Sequence, residues 1–371
     1  MVNISVMDKS LRLTLEMPLN DLETAFKLYY KDTNLILPSS FNDKVKNYLA
    51  EHFHIVSNKG IKQMVTINFM EVKTLDKGLK NEYKELYVDY LLYPSKDFDI
   101  QNFLLINEAI IRQVNLHYAI VRIEKDFMNG ITPEDSVDIG VFKKGSNNYI
   151  QPLYISMEKG SSWKAFKKMV SLGAHHIQTG LDHLLFIVLL ILISPLLLVQ
   201  GSWAGFGGWK YFGIRVFKMI TAFTIGHTIT LLLFTTTDLN SFSKPIEIAI
   251  ALTIIYTGVH AIKPLTSIKE IYITFIFGLI HGSAFGITLN EWGLTNSQKL
   301  LSLAGFNIGI EIMQIMVVFI CLPLIYLSKF SYYKYLRFAL ASLTIFISIF
   351  WVIERISENS NFITKLVEQI F

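Results

Sequence analysis

Four residues that can bind protons or metals, His175, His176, Asp182 and His183, stand at the head of an apolar run that continues from Val188 to Val199 with only Ser194 and Pro195 interrupting it. About 20 apolar residues suffice to cross a bilayer as a helix, and the run meets that length. Ionisable groups are therefore carried into lipid, where an acidic residue at the centre of a helix costs about 2.5–3.5 kcal/mol. A bound cation, a proton or partners on other helices must offset that cost.

The same anomaly recurs downstream. His227 lies in Phe223-Thr-Ile-Gly-His227-Thr-Ile-Thr-Leu231, His281 in Phe277-Gly-Leu-Ile-His281-Gly282, and Glu247 and His260 bracket a third apolar stretch. Asn307, Glu311 and Gln314 fall at i, i+4 and i+7, one polar stripe down a single helix face, and Thr253, Thr257 and His260 repeat those offsets. Gly278, Gly282 and Gly286 form a small-residue seam beside His281 that admits a close neighbouring helix. Polar stripes meeting across close-packed helices make the geometry of a membrane ion site. His260 and His175 read as packing residues, and Glu247, following Ser243 and Pro245, suits the positive end of a helix.

His176 and His183 share a helix face but are seven residues apart, about 10 Å on a regular helix, whereas a zinc-like ion holds its ligands at about 2.0–2.2 Å. Either the helix opens at Gly180, or two stations lie one above the other, His176 in one and Asp182 with His183 in the other. Stacked stations suit a permeation path better than a single catalytic centre.

The elements that must position these groups follow from the rest of the chain. Of 371 residues 51% are hydrophobic and 17% charged, with mean hydropathy +0.40, the composition of an integral membrane protein. Most of the charge lies before Lys168. The expected fold is mixed: a β-rich, sandwich-like soluble domain over residues 1–160, then an all-α polytopic membrane bundle over 161–371. Period-two alternation marks Leu11–Met17, Val65–Phe69 and Tyr87–Tyr93 as strands, His117–Ile123 is β-rich, and helices are expected over Asp21–Tyr29 and Asn42–His52. His52, His54 and His117 show no ligand-like grouping beyond the His52-x-His54 pair, which alternation would put on one strand face. After a basic, Trp163-bearing lead-in over Gly160–Lys168, six spans are expected near 170–199, 214–235, 245–262, 270–290, 300–327 and 332–354, with a loop or interfacial turn at Gly201–Trp209.

Loops on one side of these spans carry Lys210, Arg215, Lys218, Lys263, Lys269, Lys329, Lys334 and Arg337. The positive-inside rule places them in the cytoplasm and the N-terminal domain outside an inner (plasma) membrane. The segment Met1–Asp8 lacks a basic n-region and an apolar h-region, so Met1 is expected to be an internal or post-processing start. The net charge of +4 comes without a basic cluster, which speaks against nucleic acid as a partner. The expected partners are the bilayer, a divalent metal ion and an extracytosolic protein docking on the first domain.

One cysteine, Cys321, within an apolar helix, excludes disulfides and thiolate-rich metal sites, leaving His, Asp, Glu, Asn and Gln as ligands. Imidazole with carboxylate suits Ni, Co and Zn. The leading expectation is a transition-metal transporter in which His176, Asp182 and His183 ligate from the first span, His227 and His281 complete the sphere, and Glu311 balances charge or accepts a proton. The alternative is an intramembrane zinc hydrolase built from the same residues, with Glu311 or Asp182 as general base. A third option is a metal-sensing or scaffold protein.

Four motifs in order carry a resemblance: Gly173-x-x-His176-Ile-x-x-Gly180-x-Asp182-His183-Leu-Leu-Phe186, Phe223-Thr-x-x-His227-Thr-x-Thr-Leu, Phe277-Gly-Leu-Ile-His281-Gly and Phe306-Asn307-x-Gly-x-Glu311-x-x-Gln314. Together, over residues 170 to about 315, they resemble the HupE/UreJ family of bacterial membrane proteins in its longer form with an extra N-terminal domain. The resemblance implies a six- or seven-helix permease associated with nickel or cobalt uptake for hydrogenase and urease maturation, with the first domain exported.

Overall fold

The structure is a computed structural model that describes residues 1–26, 39–75, 83–234, 243–265, 269–282, 286, 289 and 292–357. The chain divides into two compact units, Met1–Ala165 and Phe166–Phe371.

The first unit is β-rich. A six-stranded sheet runs in the order β4 (Thr66–Leu75), β5 (Tyr83–Leu92), β2 (Leu11–Pro18), β1 (Val2–Val6), β7 (Tyr118–Asp126), β8 (Val137–Lys143), and a three-stranded sheet in the order β3 (Phe53–Ser57), β6 (Asn102–Asn107), β9 (Leu153–Ser156). Every pairing is antiparallel except β1 with β7. Alternation explains the layering. Leu11, Leu13 and Leu15 of β2, Leu86 and Val88 of β5 and Phe103 and Leu105 of β6 point inward, and buried residues of both sheets join one core.

Two helices join this unit, α1 (Leu19–Phe26) and α2 (Ser39–His52). The helix expected to reach Tyr29 is seen to Phe26; the rest lies outside the described residues. His52 and His54 do not share a strand face, because His52 ends α2, stacked on Tyr48, while His54 lies on β3. His117 is engaged by Asp21, Nδ1 to Oδ2 at 2.7 Å.

The second unit is helical. Its helices are α3 (Ser162–Thr179), α4 (Leu181–Ile193), α5 (Trp209–Phe234), α6 (Ser243–Ile262), α7 (Glu270–His281), α8 (Asn296–Ile320), α9 (Leu322–Leu327) and α10 (Tyr333–Ser357). Four of them, α5, α6, α8 and α10, are long and apolar enough to cross a membrane, and α3 with α4 makes a fifth candidate, bent by 75° at Gly180.

Several expected boundaries shift. The first span ends at Ile193, because Pro195 cannot continue the helix. Leu196–Val199 instead pairs with Ser202–Phe206 as the hairpin β10–β11. Its two-residue turn, Gln200 (φ 48°) and Gly201 (φ 71°), has the doubly left-handed backbone that tight hairpins require. The span expected over 270–290 is seen as the twelve-residue α7, with most of 283–291 outside the described residues. The span expected over 300–327 breaks at Cys321, two residues before Pro323, so Cys321 joins α8 to α9 rather than lying inside a helix. A capping box starts α8, with the Thr295 hydroxyl and the Gln298 side chain each accepting from the other's backbone N–H.

Glycines set the helix spacing. A methyl group at Gly278 would overlap the Phe223 carbonyl and one at Gly226 the Phe275 carbonyl, so α5 and α7 touch backbone to backbone. Gly173 and Gly309 do the same for α3 and α8, against the carbonyls of Phe306 and Val170. These two seams draw four helices inward around His176, His227 and His281.

Candidate metal centre

The centre starts at a break. Gly180 has extended backbone (φ −76°, ψ 92°) and ends α3, and α4 restarts at Leu181. Asp182 thus lies in the first turn of α4, where the positive end of the helix dipole favours a carboxylate. Its Oδ1 accepts from the backbone N–H of His183 at 2.9 Å and from the ring Nδ1 of His183 at 3.0 Å. A carboxylate only accepts, so Nδ1 carries the proton and Nε2 is left with its lone pair. The bend also brings the His176 and His183 rings to 4.7 Å between centroids, against the distance of about 10 Å on a straight helix. Of the two possibilities left open by spacing, the helix does open at Gly180.

His227 on α5 and His281 at the end of α7 face the same point. The His183 ring is 5.1 Å from that of His281 and 6.5 Å from that of His227, and the His176 ring is 6.2 Å from that of His227. Ligand atoms of His176, His183 and His227 all lie within 4.8 Å of one another, and so do those of Asp182, His183 and His281. His183 belongs to both groups. Tetrahedral ligands held at about 2.1 Å are roughly 3.4 Å apart, so a contraction on the order of 1 Å would close either group on an ion.

His281 is oriented from outside. The single proton of the Thr253 hydroxyl goes to the Ile250 carbonyl at 2.6 Å, so at 3.1 Å the hydroxyl can only accept from Nε2 of His281. That fixes the tautomer and turns the lone pair of Nδ1 inward. Nε2 of His183, both ring nitrogens of His227 and Nδ1 of His281 are buried with no hydrogen-bond partner among the described residues. Leaving a buried polar atom unsatisfied costs about 1–3 kcal/mol, and four on three adjacent rings fit a site made to hold a cation.

Phe186, Phe223 and Phe306, all essentially inaccessible, wall the rings; His227 stacks on Phe306 at 6.4 Å and His281 lies 5.6 Å from Phe186. Asp182 retains partial exposure, its side chain 28% accessible against 5% for His183.

The polar stripe of α8 divides its work. Asn307 donates to its own helix at Leu303, and its Oδ1 is buried against His227 without reaching hydrogen-bond geometry. The Gln314 side chain lies 3.3 Å from the Thr224 hydroxyl of α5, whose single proton is shared with the Ile220 carbonyl at 3.2 Å. Glu311 is half-buried and belongs to neither ligand group. His260 lies elsewhere, stacked on Tyr256 and accepting from the backbone N–H of Leu265, and Glu247 pairs with Arg355 at 3.1 Å. His175 is exposed. Thr253 was visible in the sequence as a member of the Thr253–Thr257–His260 stripe, but spacing within one helix gives no sign that it holds an imidazole of another.

No curated protein and no solved structure matches the chain. The sequence model of the HupE / UreJ protein family matches residues 153–355, more than half of the chain and all of the histidine-bearing bundle. A multi-pass helical unit whose histidines converge from separate helices thus comes together with the family match, and the chain belongs to the HupE/UreJ family.

Proposed function

We propose that the protein carries a divalent transition metal of the nickel and cobalt class through the membrane, with His176, Asp182, His183, His227 and His281 as its ligands. The supporting observation is the pair of three-residue ligand groups that share His183. An ion held by His176, His183 and His227 passes to Asp182, His183 and His281 by exchanging two ligands while His183 keeps hold. No step then leaves it bare in the apolar interior. Imidazole nitrogens with one carboxylate form a donor set suited to Ni, Co or Zn, and the Asp182 charge partly neutralises the dication.

Transport is preferred to hydrolysis because two overlapping ligand groups that share His183 suit the passage of an ion from one to the other, whereas a hydrolase needs a single fixed centre. We further propose that the β-rich unit lies outside the inner membrane, since Lys210, Lys218, Lys263, Lys269, Lys329 and Lys334 fall in or beside the opposite loops. Labelling of cysteines introduced into that unit with a membrane-impermeant maleimide tests the orientation.

The function is tested by uptake of radiolabelled nickel and cobalt into proteoliposomes containing the wild type, His183→Ala or Asp182→Asn. Wild type is expected to exceed empty vesicles, His183→Ala to match them and Asp182→Asn to fall between. Wild-type uptake equal to that of empty vesicles ends the transport reading.

A further inference from the structure

At the lysine-rich end of the helical unit, the β10–β11 hairpin and the start of α10 enclose a cavity of about 240 Å³. Its lining includes Trp203, Ser328, Ser331, Lys334 and Arg337, and no acidic residue. The unit contains three arginines, and two are paired: Arg215 with Glu270 at 2.5 Å and Arg355 with Glu247 at 3.1 Å. Arg337 is not. Its Nε and Nη1 are buried with no hydrogen-bond partner among the described residues, one turn into α10.

A guanidinium cannot shed its proton to escape desolvation, and on the half-buried Arg337 two buried nitrogens are left without an acceptor among the described residues. Lys334, exposed on the same turn, adds a second positive charge at the cavity. The first turn of a helix adds partial positive charge of its own. Ser331 supplies a hydroxyl that can donate to an anion, whereas that of Ser328 is spent on the Ile325 carbonyl.

We infer that this cavity binds a phosphate-type anion, in the form of an acidic lipid headgroup or free phosphate, with Arg337 as the principal contact and Lys334 as the second. The planar fork of Arg337 matches the oxygens of a phosphate. Tyr333, whose hydroxyl donates to the Leu192 carbonyl at 2.9 Å, fixes the turn of α10 that bears both cations. The site is separate from the histidine centre, and its test does not depend on metal transport.

The experiment uses the purified full chain, stripped of lipid in neutral detergent and followed by thermal melting and native mass spectrometry. Phosphatidylglycerol, phosphatidylcholine and inorganic phosphate are titrated against wild type, Arg337→Gln and Lys334→Gln. Phosphatidylglycerol is expected to raise the melting temperature of the wild type well beyond phosphatidylcholine. Each substitution is expected to weaken binding roughly five-fold, from the attraction of one basic residue for an anionic membrane surface.

Stabilisation by inorganic phosphate that phosphatidylglycerol does not increase assigns the site to the free anion; the reverse assigns it to lipid. Wild type indifferent to both overturns the inference, as does an undiminished response in Arg337→Gln. Should Arg337→Gln fail to fold, Lys334→Gln, which alters an exposed side chain, decides alone. A wild-type response in that variant refutes the site.

Discussion

Thr253→Val separates orientation of a ligand from the ligand itself. Valine nearly reproduces the shape of threonine, so its packing cost is small, while the one acceptor for Nε2 of His281 among the described residues is lost. His281 is 1% and Thr253 6% exposed, so water does not replace the hydroxyl. The stranded N–H costs about 1–3 kcal/mol of stability. Freed of its anchor, the ring no longer holds Nδ1 toward Asp182 and His183. Loss of a hydrogen-bond partner behind a metal-bound histidine costs about 10–100-fold in affinity, equivalent to about 1.4–2.8 kcal/mol. The assay is competition for nickel or cobalt between the purified chain and a chromophoric chelator, alongside thermal melting, for wild type, Thr253→Val, Thr253→Ser and His281→Ala. Thr253→Ser is expected to recover most of the affinity. If Thr253→Val binds within about two-fold of wild type while His281→Ala loses binding by about ten-fold or more, the hydroxyl does not orient the ligand and the tautomer argument fails.

Three further outcomes follow from particular contacts. Gly180→Ala places a methyl group against the His176 carbonyl, Nδ1 of His183 and Oδ1 of Asp182, so metal uptake is expected to fall to the level of empty vesicles in a chain that still inserts in the membrane; uptake at the wild-type rate would show that the bend is not needed. Glu311→Gln, outside both ligand groups, is expected to keep equilibrium metal affinity within about three-fold, well under the effect of losing a ligand's own partner; an uptake defect without an affinity defect would place Glu311 in proton or charge movement. In the β-rich unit the Tyr90 hydroxyl is buried without a hydrogen-bond partner among the described residues, and burial pushes its pKa above the usual phenol range. Tyr90→Phe is therefore expected to leave stability unchanged or raise it by about 1 kcal/mol, read by chemical denaturation, and a loss of comparable size would reveal a hidden partner.

Much of the architecture was legible because it rests on local pattern. Alternation in Leu11–Met17 marks a strand wherever one sheet face is buried, and apolar runs of about 20 residues mark spans whatever they pack against. The places where expectation and structure part are those where a few residues outweigh the pattern. Pro195 cuts the first apolar run, so Leu196–Val199 becomes a strand despite its hydropathy. Pro323 divides another run after Cys321. His52 and His54 look like neighbours on a strand until the helix ending at His52 claims one of them.

The sequence by itself determined that polar and ionisable side chains lie inside lipid-length apolar segments, that glycine seams let those segments come close, and that four motifs place the chain in a family. It also narrowed His176 and His183 to two possibilities, an opened helix or two stations. Only the tertiary structure showed that the helix opens by 75° and that two ligand groups nonetheless form, because His183 serves both. It alone gave His281 its partner on another helix, assigned Glu247 to Arg355 and left Glu311 outside the ligand groups. Helical spacing fixes which side chains share a face, but which face meets which neighbour is decided by packing between segments far apart in the chain, and metal geometry is a property of that meeting.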